Sequence, residues 1–233
     1  MVSVAIFLEG QTERKFIRNL IGQRYGHLRL RVKELVRKGK PTYISNEEPT
    51  TSIGLDYHFL LVEVPSREKL FSYVFDNASN MVSRQGYSLL LGLQDLFPSN
   101  RSQKASIMNL IDTKLRKSPV YNNIAVVLAI METEAWFLCD WQMFGRINNS
   151  LTASYIQSHL GLNITHDDPE LSYNHPSETL DDILKLIGLR YRKHESEINL
   201  VAGNIDVQSL LSCAGKIDSF FNLIGKLDSC IPS

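Results

Sequence analysis

The sequence predicts an α/β protein with a mostly parallel β-sheet flanked by helices, followed by a helical C-terminal region. Four apolar segments alternate with segments of helical periodicity, at residues 2–8, 57–64, 87–93 and 124–130. Such alternation is typical of βαβ units and a parallel sheet. Beyond about residue 145 no strong strand pattern returns. We therefore expect an α/β domain at 1–145 and a helical region at 146–233 packed on it.

The first strand and helix carry two candidate acids. Six of the seven residues in Val2–Leu8 are apolar, which favours a strand buried on both faces. A helix that Thr12 can cap follows, with apolar residues on one face (Phe16, Ile17, Leu20 and Ile21). Glu9 lies at the carboxyl end of the strand, where open α/β sheets bind ligands, and Glu13 one helical turn on. The alternative is a turn glutamate followed by one that complements the helix dipole.

A basic segment follows at residues 28–40. The strict alternation from Leu28 to Lys33 predicts an exposed strand or a sheet edge. Six of its residues are basic: Arg29, Arg31, Lys33, Arg37, Lys38 and Lys40. Such a stripe attracts phosphates, although edge strands also carry Lys and Arg to discourage aggregation. Residues 41–55 contain two prolines and a Ser/Thr cluster, which predicts a surface loop.

Three further acids follow the later strands. Asp95 comes after the segment 87–93, and Glu132 and Glu134 come after the segment 124–130. Parallel strands end at the same edge of a sheet, so we expect these exposed acids to converge with Glu9. Crowded carboxylates repel one another, and a divalent cation relieves that repulsion. Hard oxygen ligands suit Mg²⁺ or Mn²⁺, so the pattern predicts a metal site. A solvated loop acid is the alternative for each residue alone.

Overall charge and cysteine content exclude several classes of protein. Lys plus Arg (25) equals Asp plus Glu (25), so a nucleic-acid surface must be a local patch. The three cysteines are widely spaced, which argues against a disulfide framework or a zinc site. No apolar run has the length of a membrane span, and the N-terminus lacks the features of a signal peptide. We therefore expect a cytoplasmic protein without a membrane partner.

The C-terminal region contains a second basic cluster. Its pattern predicts short helices at about residues 151–160, 177–188, 194–202, 207–213 and 215–228. Arg190, Arg192, Lys193 and His194 surround Tyr191. A basic cluster beside an aromatic residue can hold a phosphate and stack a base, although a cluster that complements a helix C-terminus is the common alternative.

Four motifs together resemble a known family. The first is Leu8-Glu9-Gly10-x-Thr12-Glu13-x-x-Phe16; the others are Asp95-Leu96-Phe97-Pro98, Glu132-x-Glu134-Ala-Trp136-x-Leu138-x-Asp140, and Pro176-Ser177 with Tyr191-Arg192-Lys193. They resemble motifs of the TOPRIM-like proteins, which include topoisomerases, primases and the overcoming-lysogenization-defect nucleases. The closest resemblance is to a small bacterial group often encoded beside an ATPase and associated with phage defence.

The resemblance implies a TOPRIM-like, Rossmann-like sheet and a Mg²⁺- or Mn²⁺-dependent nuclease. Glu9 would be the principal metal or acid/base carboxylate, with Glu13 in support and Asp95, Glu132 and Glu134 as further ligands. Nucleic acid, DNA or RNA, would contact basic residues of both clusters (Arg29, Arg31, Lys33, Arg192 and Lys193). The related nucleases carry Asp-x-Asp where this chain has Asp95-Leu96-Phe97, so Glu132 or Glu134 would have to substitute.

The resemblance also implies partners. An ATPase encoded beside the chain would recruit or release it as the effector of an antiviral defence system. Formation of a homo-oligomer stays open at this point. The alternative function is that of a non-catalytic TOPRIM-like partner or regulatory subunit of an ATPase, in which the acids are vestigial. Metal binding discriminates between the two.

Overall fold

The computed structural model describes residues 1–38, 42–48 and 56–231. Its strands are β1 (Val2–Leu8), β2 (Leu30–Lys38), β3 (Thr42–Glu48), β4 (Tyr57–Glu63), β5 (Leu89–Asp95) and β6 (Ile124–Ala129). The first helices are α1 (Gln11–Tyr25), α2 (Arg67–Ser83), α3 (Lys104–Leu115), α4 (Glu134–Cys139) and α5 (Gln142–Ile147). They are followed by α6 (Ala153–Leu160), α7 (Pro169–Ser172), α8 (Pro176–Lys185), α9 (Glu195–Asn204), α10 (Val207–Leu211) and α11 (Asp218–Asp228).

The sheet confirms the predicted fold class. Its strand order is β3-β2-β4-β1-β5-β6. β1 lies between β4 and β5 and is parallel to both, with Leu8 opposite Glu63 on one side and Leu93 on the other. β2 is parallel to β4. The protein is therefore an α/β protein with a mostly parallel sheet, in which the apolar segment Val2–Leu8 forms an inner strand.

The outer part of the sheet differs from the prediction for residues 28–55. β2 is not an edge strand, because the antiparallel strand β3 pairs with its outer side. Thr42–Glu48 is thus a strand where we predicted a loop, while residues 41 and 49–55 lie outside the described residues, as does Lys40. Pro41 and Pro49 flank β3 rather than interrupt it, which a strand tolerates.

The core of the first strand and helix follows from the sequence pattern. β1 is buried from Ser3 to Leu8, and the predicted apolar face of α1 is fully buried. Gly10 precedes the first helical residue, so Thr12 lies inside the helix and does not cap it. Arg14 of α1 is also buried, where its guanidinium pairs with Glu34 of β2 at 2.5 Å and with Glu63 of β4 at 3.2 Å. The only acid within the basic segment therefore has a structural partner.

The chain divides into two compact units. Unit 1 comprises residues 1–94, 102–128 and 223–233, and unit 2 comprises residues 95–101 and 129–222. Unit 2 therefore begins before the predicted helical region at 146–233 and leaves out the last residues. The five predicted C-terminal helices correspond to α6, α8, α9, α10 and α11, while α5 and α7 were not predicted. No helix among the described residues is long and apolar enough to cross a bilayer.

Candidate functional site

Unit 2 contains two chain segments that lead out of β5 and β6 and stay hydrogen-bonded to each other. The amide of Leu96 donates to the carbonyl of Ala129 at 2.8 Å, and the amide of Phe97 donates to that of Met131 at 2.7 Å. Met131 has φ of +62°, in the left-handed region that residues other than glycine rarely adopt. This pairing brings Asp95 next to the turn that contains Glu132 and Glu134.

Asp95 is buried and binds the start of α4. Its Oδ1 accepts hydrogen bonds from both the amide (2.9 Å) and the hydroxyl (2.8 Å) of Thr133, the residue that precedes the helix. A carboxylate in this position satisfies amides that the first helical turn leaves without partners. Phe97 packs edge to face on His175, with 5.1 Å between ring centres.

Glu132 is buried against the start of α8. Its Oε2 accepts from the amide of Ser177 at 2.8 Å, and its Oε1 accepts from the Ser177 hydroxyl at 2.9 Å. His175 occupies the N-cap position, and Pro176 is the first helical residue. Ser177 is therefore not the cap that its position after a proline suggests; it holds a carboxylate near the positive end of the helix dipole.

Glu134 is the most buried of the three acids, with an exposed fraction of 0%. Its Oε1 accepts from the hydroxyl of the buried Tyr191 at 2.9 Å, and it lies 2.9 Å from Nζ of Lys193. Its Oε2 has no hydrogen-bond partner among the described residues. A buried carboxylate oxygen without a partner is uncommon and points to a group that is absent here or to a role in function.

Lys193 is the cation that these acids share. Its Nζ is 2.9 Å from Oε1 of Glu134 and 3.6 Å from Oε1 of Glu132. Burial disfavours its charge, but attraction to Glu134, Asp95 and Glu132 outweighs burial and raises its pKa above the ordinary value. The side chain is nevertheless 39% exposed, so the ammonium reaches both the buried acids and solvent.

Asp181 anchors the chain that delivers Tyr191 and Lys193. It lies on α8, pairs with Arg190 through two contacts at 2.9 and 3.0 Å, and accepts from the amide of Tyr191 at 2.7 Å. Partial burial raises its pKa, but these bonds outweigh burial and hold the pKa below the ordinary value. Arg190 is thus engaged within the protein.

Glu197 holds the other end of this segment. Its Oε2 accepts from the amides of Arg192 at 2.6 Å and His194 at 3.0 Å. Lys193 between them has φ of +61°, again in the left-handed region. The Arg192 side chain is exposed. The basic cluster therefore has a fixed backbone, from which Lys193 points to the acids while Arg192 extends into solvent.

The three acids of unit 2 were expected to be exposed, and that expectation was wrong. Asp95, Glu132 and Glu134 are all buried. The reason is that α4, α8 and the segment 190–194 supply hydrogen-bond donors to them, which spacing along the sequence does not reveal. Sequence reasoning missed Thr133 and Asp181, and it named Ser177 and Tyr191 as motif residues but not as hydrogen-bond donors to these acids. The sequence signal that could have indicated this site was the position of Tyr191, two residues before Lys193.

The remaining predicted residues belong to unit 1. Glu9 is half-buried and Glu13 is buried, and both are engaged in polar interactions. Their grouping with the acids of unit 2 stays a prediction. Arg29 pairs with Asp56 at 2.6 Å, Arg31 is exposed, and Lys33 is half-buried and has an interaction partner.

The acids of unit 2 fit a divalent cation in chemistry but not in their present arrangement. Three hard oxygen donors and the orphaned Oε2 of Glu134 suit such an ion. However, Asp95 and Glu132 already accept hydrogen bonds, and Lys193 supplies positive charge. No group of three or more His, Cys, Asp or Glu side chains forms a ligand set within residues 1–38, 42–48 and 56–231.

Comparison with protein families gives a match over residues 8–224 to a family described as Domain of unknown function (DUF4276). The chain belongs to the DUF4276 family. The matched range includes every acid and every basic residue discussed above, so the whole unit 2 site lies within the DUF4276 region. No curated protein and no solved structure matches the chain.

Proposed function

We propose that this chain is a divalent-metal-dependent nuclease of the TOPRIM type, with Asp95, Glu132 and Glu134 as its acidic groups. The proposal rests on one observation: Oε2 of Glu134, a fully buried carboxylate next to Asp95, Glu132 and the ammonium of Lys193, has no hydrogen-bond partner among the described residues. Buried charges are ordinarily paired, because an uncompensated one loses its hydration. The unpartnered oxygen of Glu134 favours a further cation, and Mg²⁺ or Mn²⁺ suits oxygen donors.

Asp95 and Glu132 would first have to leave their present hydrogen bonds, after which oxygens of the three acids would hold the cation. When bound, it supplies activation of water and stabilisation of the charge that develops on a phosphate. The chain's own residues prepare this site: Thr133 and Ser177 orient Asp95 and Glu132, and Tyr191 orients Glu134. Glu9 and Glu13 remain candidates for the acid/base and supporting roles that the sequence suggests.

Lys193 has a second task in this proposal. An ammonium that is 39% exposed can leave one carboxylate and contact the phosphate of a substrate. Arg192 and Arg31 are exposed cations that can contact phosphates of a substrate, whereas Arg29 must first leave Asp56. Contacts of this kind give affinity that falls steeply with salt.

The neutral net charge supports a recruited enzyme rather than a free one. With 25 basic and 25 acidic residues, the chain has little long-range attraction for nucleic acid. We therefore include in the proposal an ATPase partner that recruits or releases the nuclease, as the resemblance to phage-defence proteins implies. Assays of the chain alone and with the product of its neighbouring gene test this part.

A second candidate is a non-catalytic partner or regulatory subunit. One observation favours it: both oxygens of Glu132 and Oδ1 of Asp95 already satisfy amides and hydroxyls at the starts of α8 and α4. For this candidate function the acids connect the ends of two strands to two helices, and Lys193 balances part of their charge. Such a protein would bind no divalent cation in unit 2.

Titration of the purified chain with Mn²⁺ separates the two candidates. Wild type and Glu134→Gln are compared, with Glu178→Gln as the control, because Glu178 is an exposed acid beside Ser177 in the same helix. The nuclease proposal expects binding that Glu134→Gln weakens at least about tenfold and Glu178→Gln leaves unchanged. It also expects that Glu134→Gln slows the cleavage of DNA or RNA and that Glu178→Gln does not. A wild-type chain that binds no Mn²⁺ and cleaves neither substrate, even with the partner, favours the non-catalytic candidate.

A further inference from the structure

Unit 1 has an apolar groove between α2 and α3, with a cavity volume of ≈ 540 Å³. Its lining includes Phe71 and Phe75 from α2 and Ile107, Leu110 and Ile111 from α3. These residues recur at steps of three and four, so each helix turns one apolar stripe toward the groove. The groove lies in the helix layer of unit 1 and shares no residue with the acid cluster of unit 2.

The apolar stripe of α3 is covered on one side only. Ile111 and Leu115 are buried, whereas Ile107 is half-buried and Leu110 is 61% exposed. Phe71 and Phe75 on the opposite wall are half-buried as well. A single exposed leucine needs no explanation, but a leucine beside two aromatic rings in one groove is typical of an interaction surface.

The two walls of the groove carry opposite charges. The α2 wall contributes Glu68, which has an interaction partner, and Asp76; the other wall contributes Lys114 of α3 and Lys117, which follows α3. Nζ of Lys114 lies 5.6 Å from the ring centre of Phe71, so this side chain reaches an aromatic ring of the α2 wall. A surface with an acidic wall, an apolar floor and a basic wall is complementary to a second copy of itself turned by 180°.

We propose that this groove is the interface of a two-fold homodimer. In it, α2 of one protomer faces α3 of its partner, so that Glu68 and Asp76 meet Lys114 and Lys117 of the other copy. Leu110 of each protomer enters the groove of the other and covers its aromatic wall. Because of the two-fold symmetry, the charge pairs between α2 and α3 and the insertion of Leu110 each occur twice. One small surface therefore contributes to both halves of the interface. This proposal is independent of any activity in unit 2.

The test measures the mass of the purified chain by light scattering and by sedimentation at micromolar concentrations. Wild type is expected to be a dimer, and Leu110→Asp is expected to raise the dissociation constant by at least about tenfold. Lys69→Glu is the control, because Lys69 is an exposed charge of α2 outside the groove. Circular dichroism establishes that each variant is folded.

A pair of charge reversals identifies the occupant of the groove. One variant carries Glu68→Lys and Asp76→Lys, so that both walls are basic, and the other carries Lys114→Glu and Lys117→Glu, so that both are acidic. Each folded variant alone is expected to be monomeric, because like walls would meet in its homodimer. An equimolar mixture is expected to recover the dimer mass, since opposite walls then meet twice. A monomeric wild type, or a mixture in which both variants stay monomeric, overturns the proposal.

Discussion

Nζ of Lys193 lies 2.9 Å from Oε1 of Glu134, a fully buried carboxylate whose second oxygen has no hydrogen-bond partner among the described residues. The two residues are far apart in sequence, and both belong to unit 2. Lys193 is also attracted to Asp95 and Glu132, so its one positive charge is shared among three carboxylates. The stability of unit 2 should therefore respond to any cation that reaches these acids.

Lys193→Met tests this relationship. Removal of the ammonium breaks its ion pairs with Glu132 and Glu134 and its attraction to Asp95, so we expect a loss of about 2 kcal/mol in the free energy of unfolding. This value is below that of a fully buried pair because water screens the 39% exposed lysine. If the acids bind Mg²⁺, the ion should restore much of the loss. Urea unfolding with EDTA and with Mg²⁺ measures both effects.

Lys185→Met is the matched control for that experiment. Lys185 is 42% exposed and pairs with Asp181 and Asp182, so its removal also breaks ion pairs in unit 2. We expect a loss below about 1 kcal/mol and no response to Mg²⁺. An Mg²⁺ response of equal size in both variants would show that the ion acts elsewhere.

Tyr191→Phe removes one hydroxyl and no charge. Because that hydroxyl donates to Oε1 of the buried Glu134, its loss is expected to lower the free energy of unfolding by about 1 kcal/mol. The nuclease proposal adds a drop in cleavage rate at saturating metal, since Glu134 loses its orientation. Thermal melts and cleavage assays check the two parts. Tyr155→Phe, at a half-buried position of α6, serves as the control and should change neither.

Glu132→Gln should destabilise the fold, although glutamine has nearly the same shape. Both oxygens of Glu132 accept hydrogen bonds from Ser177, and the amide group of glutamine would replace one of these acceptors by a donor. We expect a loss of about 1–3 kcal/mol. A stability unchanged from wild type in urea unfolding would remove the structural role that the second candidate function gives this acid.

Asp181 makes the stability of unit 2 dependent on acid pH. Its pKa is lower in the folded protein than its ordinary value of 3.8, with Arg190 and the Tyr191 amide outweighing partial burial. A lowered carboxyl pKa contributes stability that is complete above 3.8 and is lost as the pH falls toward the folded pKa. Asp181→Asn should thus cost about 2 kcal/mol at neutral pH and progressively less below 3.8.

Asp182→Asn is the control for this pH profile, because Asp182 is the adjacent acid and its side chain is 54% exposed. Its replacement should shift the melting temperature little at any pH. Melting curves of wild type, Asp181→Asn and Asp182→Asn from neutral to acid pH test this prediction. A constant difference between wild type and Asp181→Asn over the whole range would contradict the assignment.

Local patterns in the sequence predicted the apolar strands and the positions of the acids at their ends. The apolar run Val2–Leu8 predicted the central strand, and the strand ends placed Asp95, Glu132 and Glu134 close to where they lie. The donors to these acids could not be predicted, because Ser177 and Tyr191 reach them through contacts between residues 45 and 57 positions apart. β3 was missed because its flanking prolines and polar residues resemble a loop, and only pairing with β2 makes it a strand.

The last helix, α11, contacts α1 within unit 1. Asp228 in α11 accepts from Tyr25 at 2.7 Å and pairs with Arg24 at 2.5 Å, both at the last turn of α1. A ribosome therefore synthesises all of unit 2, residues 95–101 and 129–222, before it makes the segment that α1 binds. During synthesis unit 2 has its complete sequence first, while the unit that begins at the N-terminus waits longest for its final contacts.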